Sequence, residues 1–199
     1  WSSDVCSSDL ITRCKGEEWI TQRALDTANF TVEKDALTLC GNGLDLCDRK
    51  MQGLLLVRQQ ERAFTAETAL EIPAAGTAGL TCYYDEHSYL KFGIGPEGLL
   101  LEEYAGYEVV SRQTAPLPAS TSHVRLRVTA ADGQRHFAIQ DRTDWHTLWS
   151  IPEPRYLTSE GLQCGKRFTG AMVGLYVHGA SAVRFADWVA VWPHPEEKR

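Results

Sequence analysis

The chain lacks several features that would assign it to a common functional class. None of its 199 residues lie in an apolar run of 18, so the sequence predicts no membrane-spanning helix. Its 20 basic residues are outnumbered by 26 acidic ones, and this balance argues against a nucleic-acid partner. No CxxC, HExxH, GxSxG or phosphate-loop motif occurs, so common zinc, serine-nucleophile and nucleotide signatures are missing.

The first ten residues, WSSDVCSSDL, show neither helical nor strand periodicity. Their back-translation resembles the ligation adapter used in short-read DNA sequencing. We therefore expect residues 1–10 to be translated adapter and the sequence upstream of Ile11 to be missing. Removing Asp4 and Asp9 leaves 24 acidic and 20 basic residues, a net charge of −4 over residues 11–199. That length suits a single domain.

Cysteine is sparse and scattered. Apart from Cys6, the chain contains five cysteines: Cys14, Cys40, Cys47, Cys82 and Cys164. An odd set without paired spacing is a poor disulfide framework and a poor zinc site. We therefore expect buried free thiols and a reducing, cytoplasmic compartment.

Short segments of alternating or continuous apolar character predict strands throughout the chain. In 64–72, for example, alternate residues from Phe64 to Ile72 share one face, and Asp132-Gly133 is a strong hairpin signal. The predicted strands are 36–40, 54–57, 64–72, 79–84, 89–94, 98–102, 107–112, 123–128, 135–140, 145–151, 171–178 and 183–192. A dozen short strands without a convincing helix predict an all-β fold, an antiparallel two-sheet β-sandwich formed by residues 11–199.

Few residues suggest chemistry on their own. The segment 93–98 has the glycine spacing of a dinucleotide-binding loop, but it lies between two strands and contains Pro96, so we interpret it as a turn. The loop triplet Asp85-Glu86-His87 fits solvated charge better than a cation site. Neighbouring carboxylates such as Glu102-Glu103 point to opposite faces of a strand and cannot form an acid–base pair. We predict no metal and no cofactor.

The aromatic residues leave two interpretations open. Trp145 and Trp149 are four residues apart, so a regular strand would place them on one face. Tyrosines cluster in the middle of the chain, at Tyr83, Tyr84, Tyr89 and Tyr107. Such side chains could stack on the apolar faces of sugar rings, or they could fill the sandwich core and an interface.

Four ordered segments resemble a known family. They are 54–60 (LLLVRQQ) followed by 64–68 (FTAET), 78–84 (AGLTCYY), 167–175 (RFTGAMVGL) and 186–188 (ADW). Their order and spacing resemble the C-terminal concanavalin A-like domain of glycoside hydrolase family 43 β-xylosidases. The FTGAMVGL block is the most specific of the four, and the resemblance covers nearly all of residues 11–199.

The resemblance implies a β-sandwich that follows a five-bladed catalytic propeller. The family hydrolyses xylo-oligosaccharides with inversion, and some members also act on arabinofuranosides. The resemblance therefore leaves both substrate classes, xylo-oligosaccharides and arabinofuranosides, as alternatives. Its catalytic carboxylates belong to the propeller, so the resemblance implies no catalytic residue here. The Phe of the FTG block, Phe168, is implied to reach into the mouth of the active site. A purely structural role as the first inward residue of the next strand is the alternative.

Two further hypotheses compete with an accessory domain. One is a stand-alone sugar-binding module of lectin type, with Trp145 and Trp149 as its platform. The other is an oligomerisation domain. Gly170 and Gly174 bracket a predicted strand, and a glycine there indicates a bulge or the close approach of another backbone. If a propeller normally covers apolar surface, the isolated chain is expected to self-associate, and the full-length enzyme is expected to be a homo-oligomer.

Overall fold

A computed structural model of the protein describes residues 19–21, 27–33, 36–117, 121–162, 164 and 170–193. Its strands are β1 Phe30–Val32, β2 Ala36–Cys40, β3 Leu54–Arg58, β4 Phe64–Glu71, β5 Thr77–Asp85, β6 Ser88–Gly95, β7 Gly98–Ala105, β8 Glu108–Ala115, β9 His123–Ala131, β10 Gln134–Asp141, β11 Asp144–Pro152, β12 Met172–His178 and β13 Ala182–Val191. All twelve predicted strands are present, and β1 is an addition that the sequence analysis missed. Within these described ranges, two short 3-10 helices, Thr27–Asn29 and Arg155–Leu157, also occur, and neither is long enough to cross a membrane.

The strands form two sheets packed face to face. One sheet has seven strands in the order β1-β2-β13-β4-β9-β10-β11, and the other has six in the order β3-β12-β5-β6-β7-β8. Every pair of neighbouring strands is antiparallel. The predicted antiparallel β-sandwich is therefore confirmed.

The main core lies between the sheets and follows the alternation of the strands. In β4 the residues Phe64, Ala66, Thr68 and Leu70 are buried, as predicted, while the residues between them are more exposed. Strand β9 alternates in the same way and directs Leu126 inward. Removing these apolar side chains from water is the main term that holds the two sheets together.

The six-stranded sheet is also covered on its outer face, the face turned away from the other sheet. Almost every residue of β5 and β6 is buried. The cover comes from the segment 41–53 and from Ile20, which bridges Leu56 of β3. A second apolar cluster fills the space beneath it; its buried members are Leu46, Met51, Leu54, Leu56, Tyr83, Tyr89, Met172 and Tyr176. This cover explains why these strands show no clear alternation in sequence.

A bulge in β11 overturns one prediction from the sequence. The register between β10 and β11 skips Leu148, so the side-chain alternation shifts by one residue. Trp149 consequently packs inward, 6.1 Å from the ring of Phe92. Trp145 lies on the opposite face, with the guanidinium carbon of Arg127 3.7 Å from its ring centroid. The prediction that the two tryptophans share a face is wrong, and they form no common platform.

Two tight turns illustrate how local sequence sets the hairpins. Asp132 and Gly133 have φ angles of 51° and 73°, as a type I′ turn requires, so the predicted hairpin is confirmed. The segment 93–98 is the β6–β7 hairpin, as interpreted. Tyr107, which was predicted to begin a strand, instead occupies the β7–β8 turn with a φ of 75°.

Candidate functional site

An open pocket of about 410 Å³ lies on the outer face of the six-stranded sheet. Its floor carries the charged residues Lys91 of β6, Glu102 of β7 and Arg112 of β8. Asp45, from the covering segment 41–53, and His178, at the end of β12, also line the pocket. These five residues, here called the Lys91 network, come together because neighbouring strands place them on one face.

The Lys91 network is a chain of alternating charges. The Lys91 Nζ lies 2.7 Å from Asp45 Oδ2 and 2.6 Å from Glu102 Oε1, with only 2% of the Lys91 side chain exposed. Arg112 donates from Nε to Glu102 Oε2 at 2.7 Å, and its Nη2 contacts the same oxygen. The Nδ1 of His178 lies 3.7 Å from Asp45 Oδ2. Each buried charge is thus matched by at least one charge of opposite sign, as burial requires.

The spacing of Asp45 and Glu102 invites comparison with a glycosidase carboxylate pair. Their bonded oxygens lie within 5.3 Å of each other, the sum of their distances of 2.7 and 2.6 Å to one Lys91 nitrogen. In a glycosidase, however, the substrate occupies the space between the two carboxylates. Here the ammonium group fills that space, so the arrangement supports ion pairing rather than acid–base catalysis.

A ladder of stacked tyrosines adjoins the network. The rings of Tyr89 and Tyr104 are stacked at 4.7 Å, and Tyr83 follows at 6.1 Å from Tyr89. Burial, helped by Asp45 and Cys47, raises the pKa of Tyr89 above the ordinary range of a phenol. Two of the four clustered tyrosines therefore belong to this outer layer. The others lie elsewhere: Tyr84 in the main core, and Tyr107 exposed at a turn.

The triplet Asp85-Glu86-His87 is not solvated, so this prediction is wrong. Asp85 and Glu86 are 3% and 5% exposed. Glu86 accepts a hydrogen bond from Arg49 Nε at 2.8 Å, and the Asp85 carboxylate accepts one from the backbone N–H of His87 at 2.9 Å. The Asp85–His87 bond closes the β5–β6 turn, and the Arg49–Glu86 bond ties this turn to the segment 41–53. Nowhere in the described ranges do three His, Cys, Asp or Glu side chains gather as a metal site would need.

The cysteines only partly follow the prediction of buried thiols. Cys40, Cys47, Cys82 and Cys164 are free thiols, but Cys47 is exposed and only Cys82 is fully buried. Burial raises the pKa of the Cys82 thiol, which favours its neutral, unreactive form. Cys82 therefore acts as a small apolar side chain of the core.

Phe168, the one residue proposed from the sequence to contact substrate, lies outside the described residues, as does Arg167. Of their surroundings, the structure describes Cys164 and the stretch from Gly170 onward. Met172, the first residue of β12, pairs with Arg58 of β3 and with Tyr83 of β5. Strand β12 therefore begins at the end of the sheet that carries Tyr83.

Two buried cations, Lys91 and Arg135, and their ion pairs were not predicted from the sequence. Arg135 is 1% exposed in β10 and donates to Glu153 from Nε, at 3.1 and 3.2 Å, and from Nη2, at 2.6 Å. Lys91 lies between the inward residues Leu90 and Phe92, so the alternation of β6 places it on the outer face of the sheet. The alternation of β10 places Arg135 on the same face as the inward residues Phe137 and Ile139, whereas no local pattern indicates that Lys91 is buried, because Asp45 and Glu102 come from other parts of the chain. The separation of Glu102 from Glu103, in contrast, is confirmed: Glu103 accepts a hydrogen bond from Tyr156 at 2.8 Å.

The buried tyrosines predict a loss of stability at high pH. Burial is the main cause that raises the pKa of Tyr89, Tyr156 and Tyr176 above their unfolded value of about 10. The folded state then holds more protons than the unfolded state above pH 10, so this stability is complete below pH 10 and falls as the pH rises. Urea titrations at a series of pH values give the free energy of unfolding, which should fall as the pH rises above 10. In Tyr176→Phe this fall should be shallower by about 1.4 kcal/mol per pH unit. The free energy of unfolding of Tyr176→Phe at pH 7 serves as the internal control. If the free energies of unfolding of the variant and of the wild type fall equally steeply above pH 10, the prediction is contradicted.

Comparison with known proteins places this sandwich in a family. The fold is of the concanavalin A-like class, and a family model described as the β-xylosidase C-terminal concanavalin A-like domain matches residues 15–189. The chain therefore belongs to this family of β-xylosidase C-terminal domains, and the resemblance noted in the sequence is confirmed.

Three relatives show the extent of the similarity. A β-xylosidase of Bacillus subtilis (strain 168) is 27% identical over 169 residues, covering 76% of this chain and 32% of the relative. The solved xylan β-1,4-xylosidase from Bacillus halodurans C-125 has a TM-score of 0.73 and 20% identity, over 86% of this chain and 36% of the other. The GH43B protein of the Bacteroides ovatus xyloglucan PUL has a TM-score of 0.72 and 22% identity, with coverages of 83% and 34%. The chain thus spans about a third of the length of each relative.

Proposed function

We propose that this chain acts as the accessory C-terminal domain of a larger family 43 β-xylosidase. The match of residues 15–189 to the β-xylosidase C-terminal domain carries this proposal. The relatives are about three times longer than the aligned part, which leaves room for a separate catalytic domain. The Lys91 network supports a non-catalytic role, since the carboxylates of Asp45 and Glu102 are committed to ion pairs with Lys91.

In the proposed enzyme, the sandwich packs on a propeller-type catalytic domain and stabilises it. Phe168 closes the xylo-oligosaccharide pocket at the interface, where an aromatic ring excludes water and offers an apolar wall to the sugar. Arabinofuranosides are the second substrate class to test. A homo-oligomer and a cytoplasmic location belong to the same proposal; the free thiols of the described cysteines are the form that a reducing compartment preserves.

The role of Phe168 can be tested in the full-length enzyme. Phe168→Ala should lower kcat/KM for xylobiose by about tenfold or more, because an apolar wall of the pocket is lost. Phe168→Leu, which keeps apolar volume, should recover part of that loss. Tyr107→Ala is the matched control, because Tyr107 is an aromatic residue that is 62% exposed at a turn. Equal kcat/KM values for Phe168→Ala and wild type would refute the assignment.

A further inference from the structure

The outer-face pocket combines hydrogen-bond donors and acceptors in an order that the proposed accessory role does not require. Around its floor the charges alternate from Arg112 to Glu102, Lys91 and Asp45. We propose that this pocket is a second, non-catalytic binding site for a neutral polyhydroxylated ligand, a mono- or disaccharide. All the groups involved belong to this chain, so the inference does not depend on a catalytic domain.

The alternation of charge favours a neutral ligand with several hydroxyl groups. Each hydroxyl donates one hydrogen bond and accepts others, so neighbouring hydroxyls can bridge from a cationic donor to the adjacent carboxylate. A guanidinium has five N–H donors, and Glu102 engages only the Nε and Nη2 nitrogens of Arg112. Each carboxylate has about four acceptor sites. Glu102 uses three of them, for Lys91 and for two nitrogens of Arg112, and Asp45 uses three, for two contacts with Lys91 and for the backbone N–H of Leu46. Capacity for a ligand therefore remains after the network has formed.

A charged ligand fits this pocket less well. An anion attracted to Lys91 or Arg112 would also lie against Asp45, Glu97 and Glu102, all of which line the pocket. A cation attracted to these carboxylates would meet the two basic groups instead. Because neither sign dominates, electrostatic attraction gives no net advantage to a charged molecule.

The rim of the pocket is preformed by closely packed backbone. An ideal Cβ on Gly95 would lie 2.4 Å from the carbonyl oxygen of Gly76, and one on Gly76 would lie 1.9 Å from that of His178. The turn before β5 is therefore packed closely against both the β6–β7 hairpin and the end of β12. Pro96 and Leu100 add an apolar wall on which the C–H face of a sugar ring can rest. A volume of about 410 Å³ is within the common range of ligand pockets, about 300–1,000 Å³.

The test is a set of NMR titrations of the 199-residue chain with three probes that differ in charge. D-xylose is neutral, D-glucuronate is an anion and D-glucosamine is a cation at neutral pH. We expect saturable shifts of the amide signals of Thr77, Gly95 and Gly98 with D-xylose, and weaker binding of the two charged sugars. Arg112→Met should weaken D-xylose binding by about tenfold, since a charge-assisted hydrogen bond is lost.

A matched control separates the site from a general surface effect. Arg125→Met removes an arginine from the seven-stranded sheet, where Arg125 lies near Asp187, and should leave D-xylose binding unchanged. Thermal melts of both variants establish that the fold is intact. The proposal is overturned by the absence of saturable shifts, by shifts centred on Trp145, by tighter binding of either charged sugar, or by equal affinities of Arg112→Met and wild type. A negative result in these titrations would not contradict the proposed accessory role, because that role is tested separately with the Phe168 variants.

Discussion

Replacement of Lys91 by methionine should lower the free energy of unfolding by about 3–5 kcal/mol. Methionine preserves most of the side-chain volume, so the effect comes from charge rather than from a cavity. Without the ammonium group, Asp45 and Glu102 face each other as like charges, and Glu102 is only 1% exposed. Urea unfolding followed by tryptophan fluorescence gives the measurement.

The control for this prediction is Lys50→Met. Lys50 is exposed in the same covering segment as Asp45, so its loss should change stability by no more than about 0.5 kcal/mol. A triple variant, Lys91→Met with Asp45→Asn and Glu102→Gln, removes the unpaired charges and should recover much of the lost stability. Stability of Lys91→Met within about 1 kcal/mol of wild type would show that the network is not truly buried.

Gly174→Ala is expected to lower the free energy of unfolding by a similar amount, about 3 kcal/mol or more. Gly174 lies in β12, and an added Cβ would be 2.0 Å from the Leu55 carbonyl oxygen and 2.8 Å from the Leu56 Cα. Both obstacles are backbone atoms, which cannot move aside as a flexible side chain could. The substitution must therefore push β3 away from β12 and disturb both apolar clusters.

Gly170→Ala provides a matched comparison just before the same strand. Among the described residues, a Cβ there would meet just the Arg58 side chain, at 3.8 Å, but Gly170 has a φ of 76°. The expected cost is therefore that of a left-handed backbone conformation, about 1–2 kcal/mol. If thermal unfolding ranks Gly170→Ala as the more damaging of the two, the close packing of β3 on β12 would be contradicted.

The strands could be predicted from the sequence because each depends on local patterning. Residues close in sequence determine both the alternation from Phe64 to Leu70 and the Asp132-Gly133 turn, so both features can be recognised in the sequence alone. The close approach at Gly174 could also be predicted, because a glycine within a strand often marks a place where another backbone comes near. The ends of strands and the faces that their side chains occupy are harder to predict. One bulged residue, Leu148, is enough to place Trp145 and Trp149 on opposite faces of the sheet.

The pocket could not be predicted in the same way. Its charges come from three strands, from the end of β12 and from the segment 41–53, and Asp45 and Lys91 are 46 residues apart in the chain. A lysine that alternates with apolar residues normally faces water. Here it is buried because segment 41–53 folds over the outer face of the sheet. Long-range cover of this kind leaves no periodic signal in the sequence.

The central claim, that this sandwich serves a larger glycosidase, is tested most directly by one long DNA read from the source material across the codon for Ile11. We expect an open reading frame that continues upstream without the adapter sequence and encodes a five-bladed propeller with three spaced carboxylates. A start codon close to Ile11, with no propeller encoded in frame before it, would contradict the account. In that case the sandwich would act alone, and the pocket around Lys91 would be the first place to seek its function.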